Sequence, residues 1–154
     1  MINTVKKKIV YFDMDNTLVN FESGVDKVSP LVRAQYSGEL DNVPNIFSTM
    51  NPIPAMINLF KEMSEDSRFD CYILSTAPWD NPTAASDKVA WVKKHLPLHA
   101  YKRLILSHNK HLNIGDYLID DRTANGAGEF TGELIQYGTE KFPTAQSIKT
   151  YLNV

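Results

Sequence analysis

Five short apolar runs, separated by helical patterns, limit the folds open to this chain. They cover residues 9–13, 71–75, 103–106, 117–119 and 133–136. Each run is too short for a helix and ends at polar or turn residues, as is typical of buried parallel strands. Apolar residues recur at helical spacing after Pro54, after Pro82 and from Ala145 to Leu152. Strands that alternate with helices predict an α/β fold with an open, parallel five-stranded sheet, whose functional residues lie at the carboxyl ends of the strands.

The length of the chain limits the number of domains. Its 154 residues, 43% of them hydrophobic, can bury one sizeable core but not two, so we predict a single domain over residues 1–154. The interval between the first strand and the helix that begins at Pro54 is much longer than an ordinary connection. It contains a helix-compatible segment at 28–36 and then a stretch punctuated by Gly and Pro. We expect this interval to form a small cap, at about 20–52, inserted after the first strand.

Charge and cysteine content argue against several kinds of partner. The net charge is −2, and the only basic run is Lys6 to Lys8, so we expect neither binding to a nucleic-acid polymer nor binding to a membrane. The apolar run Ile9–Phe12 is too short for a signal peptide or a membrane span. The single cysteine, Cys71, lies in an apolar run and is expected to be a buried thiol. A reducing, cytoplasmic location fits these features best.

Two aspartates lie at the carboxyl end of the first predicted strand. In extended chain, Asp13 and Asp15 point to the same side and Met14 points away. Like charges at a buried strand end are unfavourable unless a cation neutralises them or one stays protonated, and both outcomes suit catalysis. The alternative is a solvated acidic turn or a helix cap. A calcium-binding loop fits less well, because it would need glycine at Leu18 and glutamate at Gly24.

A second acidic pair, Asp120 and Asp121, follows the apolar run at 117–119. This run delivers its carboxylates to the same edge of the predicted sheet as Asp13 and Asp15. Oxygen ligands of this kind suit Mg²⁺, which typically takes one or two carboxylates and completes its shell with water and substrate phosphate. Taken alone, the second pair with Arg122 would be an ordinary turn with a salt bridge.

Two further strand ends carry groups that can hold a phosphate. The second run ends at Ser75 and is followed by Thr76, where a hydroxyl and free backbone N–H groups could bind phosphate oxygens; taken alone, Ser-Thr ahead of Pro78 is ordinary turn chemistry. Lys110 follows the third run, at 103–106. It could neutralise phosphate charge or hold a carboxylate, unless it is simply a solvated loop lysine. The four histidines lack ligand-like spacing and are interpreted as structural or surface residues: His95, His99, His108 and His111.

In combination these signatures resemble those of haloacid-dehalogenase-type (HAD) hydrolases. The order is Asp-x-Asp-x-Thr from Asp13, then Thr76, then Lys110, then Asp120-Asp121. The resemblance implies a HAD-like Rossmannoid fold over nearly the whole chain, with the last two strands on one side of the first and the second and third on the other. The chain is most similar to the 5′(3′)-deoxyribonucleotidase branch, through Phe21-Glu22, the segment Asp87–Val92 and the segment Leu118–Arg122, beside the motifs above.

The resemblance implies roles for the acidic residues. Asp13 would be the nucleophile of a phosphomonoester hydrolase that forms an aspartyl phosphate, and Asp15 would be its general acid and base. Mg²⁺ would be bound by the Asp13 carboxylate, the Asp15 backbone carbonyl and Asp121, with Asp120 beside them.

It also implies roles for the residues that contact substrate. Thr76 and Lys110 would hold the phosphate, with Ser75 as the alternative hydroxyl, and Phe21 would stack on a base. The predicted cap is shorter than is usual in this branch, and its other aromatic residues are only Tyr36 and Phe47. The substrate is therefore expected to be a small phosphomonoester, preferably a (deoxy)nucleoside monophosphate, with a sugar phosphate as the alternative; a homodimer is possible.

Other functions fit the pattern less well. Dehalogenation needs neither an acid such as Asp15 nor a magnesium site. A phosphoacceptor receiver domain combines similar residues, but there the hydroxyl and the lysine come last, whereas here Thr76 and Lys110 precede Asp120 and Asp121. A catalytically inactive binding module of the same fold is the remaining alternative.

Overall fold

The computed structural model describes residues 4–154, so residues 1–3 of the predicted domain span lie outside the described residues. The strands are β1 (Lys8–Phe12), β2 (Val19–Asn20), β3 (Asn51–Pro52), β4 (Phe69–Ser75), β5 (Leu104–Leu106), β6 (Tyr117–Asp120) and β7 (Glu133–Gln136). The α-helices are α1 (Phe21–Val25), α2 (Pro30–Gln35), α3 (Pro54–Glu65), α4 (Ala84–His95) and α5 (Ala145–Leu152). Short 3-10 helices lie at Leu40–Asn42, Ile46–Ser48, Lys110–Leu112 and Ala127–Glu129.

The central sheet is five-stranded, with the order β5-β4-β1-β6-β7. Every neighbouring pair in it is parallel, and Val10 of β1 lies opposite Cys71 of β4 on one side and Tyr117 of β6 on the other. The predicted fold class and strand order are therefore confirmed. All five predicted runs are strands, with ends that differ from the predicted bounds by at most two residues. The Cys71 side chain is buried, as expected.

Alternation along β1 divides the core between the two faces of the sheet. Val10 and Phe12 belong to the main hydrophobic cluster, which also contains buried side chains of α3, α4 and α5. Tyr11 points to the opposite face, where a smaller cluster includes Ala127 and Phe130. Because β1 has buried side chains on both faces and a strand on each side, its end is held firmly at the centre of the sheet.

The helices bury apolar stripes, as their sequence spacing indicates. Helix α3 begins with Pro54 at its first turn and buries Met56, Leu59, Phe60 and Met63. Helix α5 begins at a capping box in which Thr144 and Ser147 satisfy each other's backbone N–H groups, and it buries Ala145, Ile148 and Leu152.

Helix α4 buries part of its predicted apolar stripe, since Val92 and the following Leu96 are buried, but its inward face also includes residues outside that stripe. Val89 is 38% exposed, while Ala84, Lys88, Trp91 and Val92 are buried. A charged side chain therefore occupies a core position of this helix, where it needs a buried partner.

The segment between β1 and α3 forms a small insertion. Its ends are brought together by β2 and β3, which pair antiparallel with Val19 opposite Pro52. Between them lie α1, α2 and two 3-10 helices, and the second of these packs on α4. The interpretation of this insertion as a cap over a substrate stays a prediction. Among the described residues, no helix has the length and apolar character needed to cross a membrane.

The edge-to-face contact between Phe60 and Phe12 yields a stability prediction. The two ring centroids lie 5.0 Å apart and both side chains are fully buried; Phe12 directly precedes Asp13 in the chain. Phe60→Ala should lower the free energy of unfolding by about 3–5 kcal/mol, measured by urea denaturation, because it leaves a cavity under the sheet. Leu98→Ala, at a residue that is 83% exposed, should change it by less than about 0.5 kcal/mol. Equal effects would contradict this description of the core.

Candidate active site

The carboxyl end of β1 presents two carboxylates to one cavity. Asp13 is fixed by its backbone N–H, which donates to the carbonyl of Ile119 in β6 at 2.9 Å. The chain then turns, with Asn16 in the left-handed region at φ +58°, and Met14 points into the core. Asp13 and Asp15 both line the same cavity, as period-two alternation predicts.

Lys110 links the nucleophile candidate to the acidic pair on β6. Its ammonium donates to Asp13 Oδ1 at 2.8 Å and to Asp120 Oδ2 at 2.6 Å, and all three side chains are buried. Burial alone would lower the pKa of Lys110, but the two carboxylates outweigh it and raise that pKa, so the lysine stays charged. Burial also raises the pKa of Asp13, against the opposing effect of Lys110.

A cluster of three carboxylates can hold a metal ion. Oxygens of Asp13, Asp120 and Asp121 lie within 4.8 Å of one another. Asp120 already accepts hydrogen bonds at both oxygens, from Lys110 and from the backbone N–H of Arg122 at 3.0 Å. Asp121 Oδ1 is buried and has no hydrogen-bond partner among the described residues. Burial, then the negative charges of Asp13 and Asp120, raise the pKa of Asp121 to about 8. A hard divalent cation fits this donor set, because it would neutralise the unpaired charge with oxygen ligands.

Asp15 is held apart from this cluster by a residue that sequence reasoning did not identify. Lys88 of α4 is fully buried, and its ammonium donates to Asp15 Oδ2 at 3.1 Å and to Ser75 Oγ at 2.7 Å. The same ammonium lies 4.4 Å from the centroid of the Phe47 ring in the insertion. Burial raises the pKa of Asp15, and Lys88 partly opposes that rise. The sequence feature that could have identified Lys88 is its position on the apolar face of a predicted helix, three residues before Trp91 and four before Val92.

The two candidate hydroxyls differ in their surroundings. Thr76 lines the cavity, and its hydroxyl donates to the carbonyl of Ser107 at 2.7 Å. Ser75 is fully buried and accepts from Lys88 instead. Thr76 is therefore the hydroxyl that faces the cavity, although it would have to turn from Ser107 to donate to a phosphate.

The cavity has a volume of about 760 Å³ and extends from the sheet edge to the insertion. Phe21, the first residue of α1, lines it and packs on Phe47 at 6.1 Å between ring centroids. Phe47 lies in the hydrophobic core, and the partly buried Tyr36 packs against it.

Several side chains on the cavity wall were not assigned to the site from sequence, and three of them are large side chains that bear on substrate binding. They are Trp79, His108 and Arg122. His108, interpreted from the sequence as a structural or surface residue, is exposed and lies beside Trp79 on this wall, where the exit of β5 places it. Single residues in loops have no periodicity, so their approach to the cavity is not visible in the sequence.

Comparison with known proteins gives a family for this arrangement. Residues 35–142 match the family model described as "5' nucleotidase, deoxy (Pyrimidine), cytosolic type C protein". A protein of Vibrio phage KVP40, provisionally named as a 5′(3′)-deoxyribonucleotidase, is 56% identical over 95% of this chain and 85% of its own length. The human "5'(3')-deoxyribonucleotidase, cytosolic type" is 26% identical over 78% of this chain and 74% of its own.

Solved structures agree in fold. A magnesium-bound structure of YfnB from Bacillus subtilis, provisionally named as a HAD-hydrolase, superposes with a TM-score of 0.64 at 12% identity and covers 97% of this chain and 100% of that one. A 2-haloacid dehalogenase from Pseudomonas syringae superposes with a TM-score of 0.56 at 10% identity, over 96% of this chain and 99% of that one. At these identities the likeness shows the fold alone.

The Lys88–Asp15 pair generates a prediction for a double-mutant cycle. Lys88→Met should lower the free energy of unfolding by about 3 kcal/mol in urea denaturation, because it leaves a buried carboxylate without its cation. Adding Asp15→Asn should recover most of that loss, since the second change removes the unpaired charge. Lys94→Met, at an exposed position of the same helix, is the matched control and should be near neutral. Additive effects of the two substitutions at Lys88 and Asp15 would show that the pair is not coupled.

Proposed function

The chain belongs to the cytosolic type C family of 5′ nucleotidases, and from that premise we propose that it is a magnesium-dependent phosphomonoesterase that releases phosphate from deoxynucleoside monophosphates. One observation supports this most directly. Asp13 lies in a buried cluster with Lys110 and two further carboxylates, while Asp15, two residues on, faces the same cavity with a separate cation. Neighbouring carboxylates in different environments can take different roles in one reaction.

In the proposed reaction, Asp13 is the nucleophile. A carboxylate oxygen of Asp13 attacks phosphorus, a new O–P bond forms, and the P–O bond to the leaving alcohol breaks in line with it. Lys110, which holds Asp13 at 2.8 Å, orients this carboxylate and offsets phosphate charge. Thr76 contributes a hydroxyl on the cavity wall.

Asp15 moves the protons. It first protonates the leaving oxygen and then takes a proton from the water that hydrolyses the aspartyl phosphate, which regenerates Asp13 and releases phosphate. Its environment suits both steps, because burial raises its pKa while Lys88 favours the charged form. Lys88 also directs the Asp15 side chain by holding one of its two oxygens.

The carboxylates of Asp13 and Asp121 and the backbone carbonyl of Asp15 would hold the magnesium ion, with Asp120 beside it. The unpartnered Asp121 oxygen supports this assignment, and Asp120 is already occupied by Lys110. When bound, the metal neutralises charge on the phosphate and on the carboxylate cluster.

The identity of the substrate is the most specific part of the proposal. Phe21 on the cavity wall supports a leaving group with a base. The alternative, a sugar phosphate, is favoured by the small number of aromatic residues that the insertion brings to the cavity. A cytoplasmic location agrees with the family's description, although a human mitochondrial 5′(3′)-deoxyribonucleotidase also matches, at 28% identity over 51% of this chain. Homodimer formation stays a prediction.

The substrate class is tested with a panel and an inactive variant. Wild-type protein with Mg²⁺ should hydrolyse deoxynucleoside 5′- or 3′-monophosphates in preference to ribonucleotides and sugar phosphates. Asp13→Asn should abolish turnover, by at least about 10³-fold, with folding intact, because no carboxylate remains to attack phosphorus. Normal turnover in that variant would refute the nucleophile assignment. A long-lived phosphoprotein without turnover in the wild type would indicate a receiver domain.

Metal dependence is tested by thermal unfolding as well as by activity. Chelation should abolish phosphate release, and saturating Mg²⁺ should raise the Tm of the wild type by about 5 °C. Asp121→Asn should lose most of this shift. Without metal, the Tm of this variant should be at least as high as that of the wild type, because the substitution removes a carboxyl group that burial and neighbouring negative charges disfavour. An unchanged metal response in Asp121→Asn would exclude Asp121 as a ligand.

A further inference from the structure

An exposed tryptophan stands at the opening of the catalytic cavity. Trp79 is 85% exposed, yet it lines the same cavity as Asp13 and Lys110. It lies in the loop that follows β4, four residues after Ser75, and therefore comes from the core rather than from the insertion. Contact between such an exposed indole and a flat apolar surface is favourable, because it removes apolar area from water.

His108 supports the tryptophan from a second loop. Its ring contacts Trp79 edge to face, with 5.5 Å between centroids and an angle of 75°. His108 follows β5, two residues before Lys110, and also lines the cavity. Because 85% of Trp79 remains exposed, this contact leaves most of the indole surface available to a ligand.

Hydrogen bonds to the insertion fix the loop that carries Trp79. The amide of the buried Asn81 donates to the carbonyls of Asp41 at 2.8 Å and Val43 at 3.0 Å. The backbone N–H of Asn45 donates to the Thr83 hydroxyl at 2.7 Å. These bonds connect both sides of the cavity opening and hold the backbone of the loop that carries Trp79, which lowers the entropic cost of ordering that loop when a ligand stacks on it.

We propose that Trp79, supported by His108, forms a stacking surface for the nucleobase of the leaving nucleoside. The inference rests on the proposed function and deepens it, because it places base recognition on a core loop beside Phe21. A planar heterocycle suits an indole, since stacking needs only a π-face and tolerates differences in hydrogen-bonding groups. The volume of about 760 Å³ is large enough for a nucleoside monophosphate.

The test compares two substrates that differ only in the base. Thymidine 5′-monophosphate carries one, and 2-deoxyribose 5-phosphate does not. Trp79→Ala should lower kcat/KM for thymidine 5′-monophosphate by about tenfold, mainly through KM, and should affect 2-deoxyribose 5-phosphate by less than about twofold. Trp79→Phe should restore most of the loss. Tyr101→Ala removes another exposed aromatic, 67% exposed and outside the cavity, and should change neither substrate.

Fluorescence gives a readout that does not depend on turnover. The chain has two tryptophans, and Trp91 is buried, so quenching of the exposed emission reports on Trp79. In Asp13→Asn, thymidine 5′-monophosphate should quench this emission, whereas 2-deoxyribose 5-phosphate should not. The double variant Asp13→Asn, Trp79→Phe should lose the signal.

The outcomes separate the inference from the function on which it rests. If the wild type prefers thymidine 5′-monophosphate and Trp79→Ala keeps that preference, the base binds elsewhere and the inference is overturned while the nucleotidase proposal stands. If Trp79→Ala weakens both substrates equally, the residue has no base-specific role. If the wild type shows no preference for the nucleotide, both the inference and the nucleotide specificity are overturned, and the phosphatase remains.

Discussion

The site depends on one buried ammonium placed between two carboxylates. Lys110 reaches Asp13 at the end of β1 and Asp120 at the end of β6, and so ties three separate loops to one point. Without it, adjacent strands would deliver like charges to the same dry edge of the sheet, which is unfavourable. Because one lysine does not balance three carboxylates, the cluster keeps an unpaired oxygen on Asp121 and an excess of negative charge that suits a cation.

A second buried lysine makes the two aspartates of β1 unequal. Lys88 of α4, whose ammonium lies against the Phe47 ring, holds Asp15, while Lys110 holds Asp13. Alternation alone would make Asp13 and Asp15 equivalent neighbours on one side of a strand. Separate cations give them separate environments, and this allows one to act as a nucleophile and the other to transfer protons.

The insertion is connected to the core through the same groups that shape the cavity. Phe47 lies over Lys88, and Asn81 joins the loop after β4 to the segment around Asp41. Helix α2 has no buried residue, but other parts of the insertion pack into the main hydrophobic cluster through Val25, Val43, Ile46, Phe47 and Met50. The aromatic surface at the cavity opening accordingly comes from both the insertion, through Phe21, and the core, through Trp79.

The sequence by itself determined the sheet and the residues at its strand ends. Asp13, Asp15, Thr76, Lys110 and Asp121 all face or border the site, because a parallel sheet brings the carboxyl ends of its strands to one edge whatever the loops do. Their catalytic roles stay predictions. Only the tertiary structure decided that Lys88 supports Asp15, and that Trp79 and His108 meet at the cavity. A lysine on an apolar helical face can be paired or solvated, and loop residues have no period, so both depend on how distant segments pack.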